Sequence, residues 1–155
     1  MFLITTADEK TWAHEKKILF LGEWCLRHSR KNIWSKLDYE VLPYHWDDRD
    51  KFYRDYKALS LVYEKYLAEL RVHLNEIHHA NYSLRYWRIL IGPWLRYFID
   101  IIYDRYLSIE NACKKGPLST IIIKQPRDKF VPNEFSDFVV WYSTDEWNHF
   151  IFCAI

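Results

Sequence analysis

"KILFLGEWC", Lys17 to Cys25, holds four consecutive apolar residues, Ile18 to Leu21, that stop at Gly22. An apolar run this short, closed by a turn residue, predicts a buried strand followed by a loop. The same pattern appears on both sides of it. "FLITT", Phe2 to Thr6, predicts a first strand that ends in polar residues. "DYEVLPYHWDD" predicts a short strand around Tyr39 to Leu42, before Pro43. Between the first two, Thr6 and Glu9 match a capping box and predict a helical turn through Trp12. Arg27 to Lys36 mixes basic and polar residues and reads as a solvated connection.

From Asp48 the period changes. Phe52, Tyr56, Leu59, Tyr63, Tyr66, Leu70, His73 and Ile77 recur at alternating steps of four and three, which is a helix seam. Asp47 or Asp48 caps it, and the acids of its first turn suit the positive end of the helix dipole. A second helix begins near Asn81 or Ser83 and runs toward Ala112, where "KKGP" closes it. The two form an antiparallel hairpin over residues 48–112. "STIIIKQP" predicts a further strand ended by Pro126, and Ser143 with Glu146 forms a capping box for a last apolar helix. That helix meets no stop signal, so the chain is expected to end short of its natural terminus. Strands alternating with helices give an α/β fold, a Rossmann-like layered domain with the hairpin inserted or lying across one face. At 155 residues the expected count is one domain, 1–155.

Composition narrows the function classes. A net charge of +1 gives no field with which to grip a long polyanion, so nucleic acid is not an expected partner. Cys25, Cys113 and Cys153 form neither an even framework nor a C-x-x-C spacing, which fits a reducing cytoplasm and no structural zinc. The start lacks a basic leader before an apolar run. Tyr86 to Leu107 is interrupted by Arg88, Arg96, Asp100, Asp104 and Arg105, so no transmembrane segment is expected, while peripheral membrane association stays open. No Gly-rich phosphate loop, dinucleotide fingerprint, nucleophile elbow or zinc-protease motif occurs, and no cofactor is expected.

"NYSLRYWRILIGPWLRYF", Asn81 to Phe98, is the most unusual stretch. At about 100° per residue, Trp87, Leu90, Ile91, Trp94, Phe98 and Ile101 share one face while Arg85, Arg88, Gly92 and Arg96 share the other. Gly92 opens the backbone to close approach, and Pro93 removes one helical hydrogen bond at a cost of about 3 kcal/mol. Arginine forks beside a bare backbone suit a carboxylate or phosphate, giving an anion or substrate site. The alternative is that the arginines pair with acids of the first helix while Gly92 lets the hairpin pack tightly.

Other acids and histidines carry weaker signals. Asp48 and Asp50 make a D-x-D step that either holds a metal against a diphosphate or caps a helix, and the helix start favours capping. His45 and Asp47 beside them are candidate general bases. Glu23 in "GEWC" follows an apolar run, where α/β folds place ligand contacts, and is the third candidate. Glu76 and His79 stand three apart on a helix as half of a di-metal motif whose other half is missing, so no metal site is assigned.

Together, "LFLGEWC", "LDYEVLPYHWDDR", "NYSLRYWRILIGPWLRYF" and "IIKQPRDKF" resemble the amino-terminal part of a family of glycosyltransferase-like enzymes encoded in bacterial O-antigen and surface-polysaccharide gene clusters. The likeness runs from "LITTADEKTW" to "STDEWNHF". It implies a two-domain architecture in which this chain is the acceptor-side half and a donor domain lies beyond Ile155, so the isolated chain would be inactive. It also implies a nucleotide sugar and a saccharide acceptor as partners. His45, Asp47 or Glu23 would then deprotonate the acceptor hydroxyl, and Arg85, Arg88 and Arg96 would position an anionic group. The competing class is a non-catalytic interaction module that presents the aromatic hairpin to a partner.

Overall fold

The computed structural model describes residues 1–13, 17–126 and 128–155. Three short strands, β1 (Phe2–Ile4), β2 (Ile18–Phe20) and β3 (Tyr39–Val41), pair in parallel in that order. The register sets Phe2 beside Ile18 and Ile18 beside Tyr39. Parallel sheets covered on both faces read as continuous apolar runs, because alternate residues go to opposite faces and both are buried. Here Phe2, Ile4, Ile18 and Phe20 join Trp12 and Cys25 in one cluster. Leu3, Leu19 and Leu21 join Leu42, Ala112 and Phe152 in the other.

Among the described residues the α-helices are α1 (Lys31–Trp34), between β2 and β3, and then α2 (Arg49–Ile77), α3 (Leu84–Cys113), α4 (Phe135–Trp141) and α5 (Asp145–Ala154). The chain divides into two compact units, one of Met1–His45 with Arg105–Ile155, the other Trp46–Asp104. The first holds the sheet, α1, the last turns of α3, α4 and α5. The second is the α2–α3 hairpin.

Several sequence expectations shift by a residue or an element. The turn before Trp12 is a 3-10 helix, Glu9–Thr11, capped by Asp8 and not by Thr6, because the Asp8 side chain accepts from the Lys10 N–H. The connection 27–36 is partly helical, with His28–Arg30 and α1. The capping box at the chain's end is made by Glu134 and Asp137 on α4. Thr144 caps α5 through the Trp147 N–H, in place of the expected Ser143 and Glu146 pair. "STIIIKQP" forms no strand; only Ser119 bridges Phe2, and the Thr120 hydroxyl donates to the Leu3 carbonyl at 2.9 Å. An apolar run specifies a strand only where a ladder partner lies alongside, and beyond Ser119 the Ile123 N–H goes to His149 instead.

In the hairpin, Asp48 caps α2 by accepting from the Lys51 N–H at 3.0 Å. Asn75 holds the reversal: its Oδ1 accepts from the Tyr82 N–H and from Trp87 Nε1–H, and its Nδ2 donates to the Tyr82 carbonyl, each at 3.0 Å. His79 sits past the end of α2 at φ 50°, so Glu76 and His79 do not share a helix face as the sequence reading placed them. Of the expected seam, Leu59 is buried and Tyr63 and Leu70 are half-buried, whereas Phe52, Tyr56, Tyr66, His73 and Ile77 are exposed; Leu67, outside that seam, is also buried.

Candidate functional site

Parallel strands end together, so β1, β2 and β3 deliver their following residues to one edge: Thr5 and Thr6, then Gly22 to Trp24, then Tyr44 and His45. Trp24 organises that edge. Its indole N–H donates to the Thr5 carbonyl at 3.0 Å, and Tyr44 meets it edge-on with ring centroids 6.5 Å apart. The ring lies over Gly22, where a Cβ would come within 2.1 Å of it. His45 is buried against Tyr44, with ring centroids 4.7 Å apart, while Glu23 is exposed.

Two hollows of the first unit border this edge. The larger, about 710 Å³, is lined by Asp8, Glu9, Lys10, Arg27, Arg30 and Asp145, among others. Its charges are largely matched. Arg27 pairs with Asp145, Arg30 with Glu9 at 3.2 Å, and Glu146 with Lys129. Asp145 also accepts from the Ala7 N–H at 3.2 Å, tying α5 to the residues after β1. The smaller, about 290 Å³, is lined by Trp24, Arg105, Tyr142 and Asn148 and by the same Arg27 and Asp145. That ion pair therefore forms a partition common to both.

His149 of α5 forms part of the wall of the larger hollow. Its Nε2 accepts from the Ile123 N–H at 3.3 Å, so the ring proton sits on Nδ1 and faces the Thr5 hydroxyl at 3.1 Å. Burial lowers its pKa, against a smaller opposing pull from Asp8. The thiols nearby are not activated. Burial pushes Cys25 up to about 12 and also raises Cys153, 3.4 Å from His149 Nε2, so neither offers a thiolate near neutrality.

The arginines of α3 lie in the other unit. Arg88 makes a bidentate pair with Glu64 on α2, both bonds 2.6 Å, and this bond raises the Arg88 pKa and lowers that of Glu64. Arg96 bonds Asp100 at 2.7 Å and the Ser60 hydroxyl at 3.0 Å, and lies over the Tyr56 ring. Gly92 receives the Tyr63 hydroxyl, which stands 2.6 Å from where a Cβ would be. Arg88 thus pairs with an acid of α2 and Gly92 admits a side chain from it, the alternative the sequence offered, while Ile89 and Leu90 are exposed at 71% and 60%. Arg88, Gly92, Pro93 and Arg96 still line a shallow groove of about 490 Å³; Arg85 is exposed. α3 passes through Pro93 as one helix.

A family model for the LIC12162 family transferases matches residues 1–155. The chain belongs to that family. No curated protein and no solved structure matches it. Among the described residues no helix is long and apolar enough to cross a membrane.

Of the candidate bases, Glu23 and His45 fall on the carboxyl edge of the sheet, after β2 and β3. Asp47 is exposed at the start of the hairpin unit. Sequence reasoning missed Asp8, Arg27, Asp145, Asn148 and His149. The one available signal was "TTADEK", a polar cluster directly after the first apolar run.

Proposed function

We propose that this chain is the acceptor-side half of a glycosyltransferase that moves a sugar from a nucleotide sugar to a hydroxyl of a surface-polysaccharide acceptor. Its fold is then the Rossmann-like half of a two-domain enzyme. The observation that carries the reading is the charge-matched polar cleft at the carboxyl edge of the parallel sheet. With acids and bases matched around it, a polyhydroxyl acceptor finds donors and acceptors side by side. In the reaction, Glu23, His45 or Asp47 removes the acceptor hydroxyl proton. The oxygen forms a bond to the anomeric carbon, and the bond from that carbon to the diphosphate breaks. Arg85, Arg88, Gly92 and Arg96 form an anion-docking groove on the hairpin, with the incoming anion replacing Glu64 on Arg88.

The test uses the full-length protein with a panel of nucleotide sugars and saccharide acceptors, following release of the nucleoside diphosphate. Release should depend on acceptor. One of Glu23→Gln, His45→Asn and Asp47→Asn should lower it by about 10²–10⁴-fold and abolish the acid limb of its pH profile. No release with any donor, or full rates in all three variants, defeats the proposal. A second reading, an interaction module, draws on the outward stripe of Tyr86, Ile89, Leu90 and Tyr97 on α3. It predicts a hairpin whose apolar stripe matters for association and not for turnover.

A further inference from the structure

The smaller hollow has a composition of its own. Tryptophan is mostly buried in proteins, yet Trp24 keeps 39% of its surface exposed among polar groups. It is not loose. The Thr5 carbonyl holds its N–H, Gly22 makes room for its ring, and Tyr44 braces its edge. A ring fixed in advance loses little entropy on binding. Around it, Arg27 with Asp145 and Arg105 with Asn148, at 2.8 Å, alternate donors and acceptors. Adjacent sugar hydroxyls, each both donor and acceptor, match such alternation. The volume of about 290 Å³ lies at the bottom of the range for small-molecule sites, enough for a single ring and not for a nucleotide.

We infer that the hollow beside Trp24 is a saccharide-ring pocket, in which the indole takes the C–H face of one neutral pyranose and the Arg27–Asp145 pair takes its hydroxyls. The inference names the substrate class at the edge already assigned to the acceptor, and so rests on that reading, but it can be tested without transfer. Exposed serines allow each hollow to be blocked separately: Ser143 lines only the smaller and Ser29 only the larger.

Saturation-transfer NMR on the full chain would use free glucose, galactose, mannose, N-acetylglucosamine and a 6-deoxyhexose, with uridine as the comparison. At least one monosaccharide should bind. Ser143→Phe and Trp24→Ala should each weaken that binding by about tenfold or more, and Ser29→Phe should leave it unchanged. Circular dichroism confirms that each variant is folded, and Ser143→Phe decides the matter if Trp24→Ala is not. Binding of uridine alone, binding of nothing, or equal losses in the two serine variants overturns the inference. Sugar binding without nucleotide release by the full-length protein removes the transfer reading and leaves this pocket standing. Nucleotide release without sugar binding here does the opposite.

Discussion

Gly22→Ala should destabilise the fold although nothing in its own backbone requires glycine, since φ is −178°, an extended angle open to any residue. Local conformation would favour the alanine by about 0.4–1 kcal/mol through the unfolded chain. The opposing effect is steric. The new methyl would stand 2.1–2.4 Å from three carbons of the Trp24 ring, so the indole must leave. A tryptophan buries about 150–250 Å². At 39% exposure roughly three-fifths of that is at stake. At about 25 cal/mol per Å² this is about 3 kcal/mol if none is recovered, with about 1 kcal/mol more for the hydrogen bond to Thr5. A displaced ring recovers part of its contacts, which leaves a net loss of about 2 kcal/mol. Urea unfolding of the wild type, Gly22→Ala, Trp24→Ala and the double variant measures it. In the Trp24→Ala background the methyl meets no ring, so the Gly22→Ala cost should vanish or change sign. A cost that persists undiminished there would show that the clash is not with Trp24, and the account of how the ring is fixed would fall.

Two further outcomes are expected. Because burial holds the His149 pKa below its unfolded value of about 6.5, the unfolded chain takes up this proton first as pH falls. The stability that His149 contributes is thus present above about pH 6.5 and is lost on acidification through its folded pKa. Urea midpoints near neutrality and near pH 5 should fall further in the wild type than in His149→Gln; parallel losses would refute it. On the hairpin, Glu64→Gln removes the carboxylate that occupies the Arg88 fork. If that fork docks anions, inorganic pyrophosphate should bind the variant more tightly than the wild type in an NMR shift titration. Equal binding would strike Arg88 from the anion groove.

The sheet was legible because burial on both faces leaves little choice of residue: the apolar runs at Phe2 and Ile18 are the strands themselves, and the residues after them are the carboxyl edge. Helix starts are local signals read to within a residue or two: Asp48 was one of two expected caps, while Asp8 and Thr144 cap where Thr6 and Ser143 were expected. The packing of α3 was legible in part: Arg88 pairs with Glu64 on α2 and Gly92 admits the Tyr63 hydroxyl, as the charge-pairing alternative expected, while Leu90 of the expected apolar face is exposed. "STIIIKQP" misled, since its apolar run packs without a ladder and gives the Ile123 N–H to a side chain 26 residues on.

The same distance explains why the cleft residues were invisible. Arg27 and Asp145 lie 118 residues apart, and Thr5 and His149 lie 144 apart. No spacing rule reaches so far, because each partner is chosen by where α5 docks and not by its neighbours in sequence. α5 therefore acts as more than cover for the sheet. It brings Asp145 to Arg27 and the Ala7 N–H, Asn148 to Arg105, and His149 to Thr5, so one helix supplies a wall to both hollows.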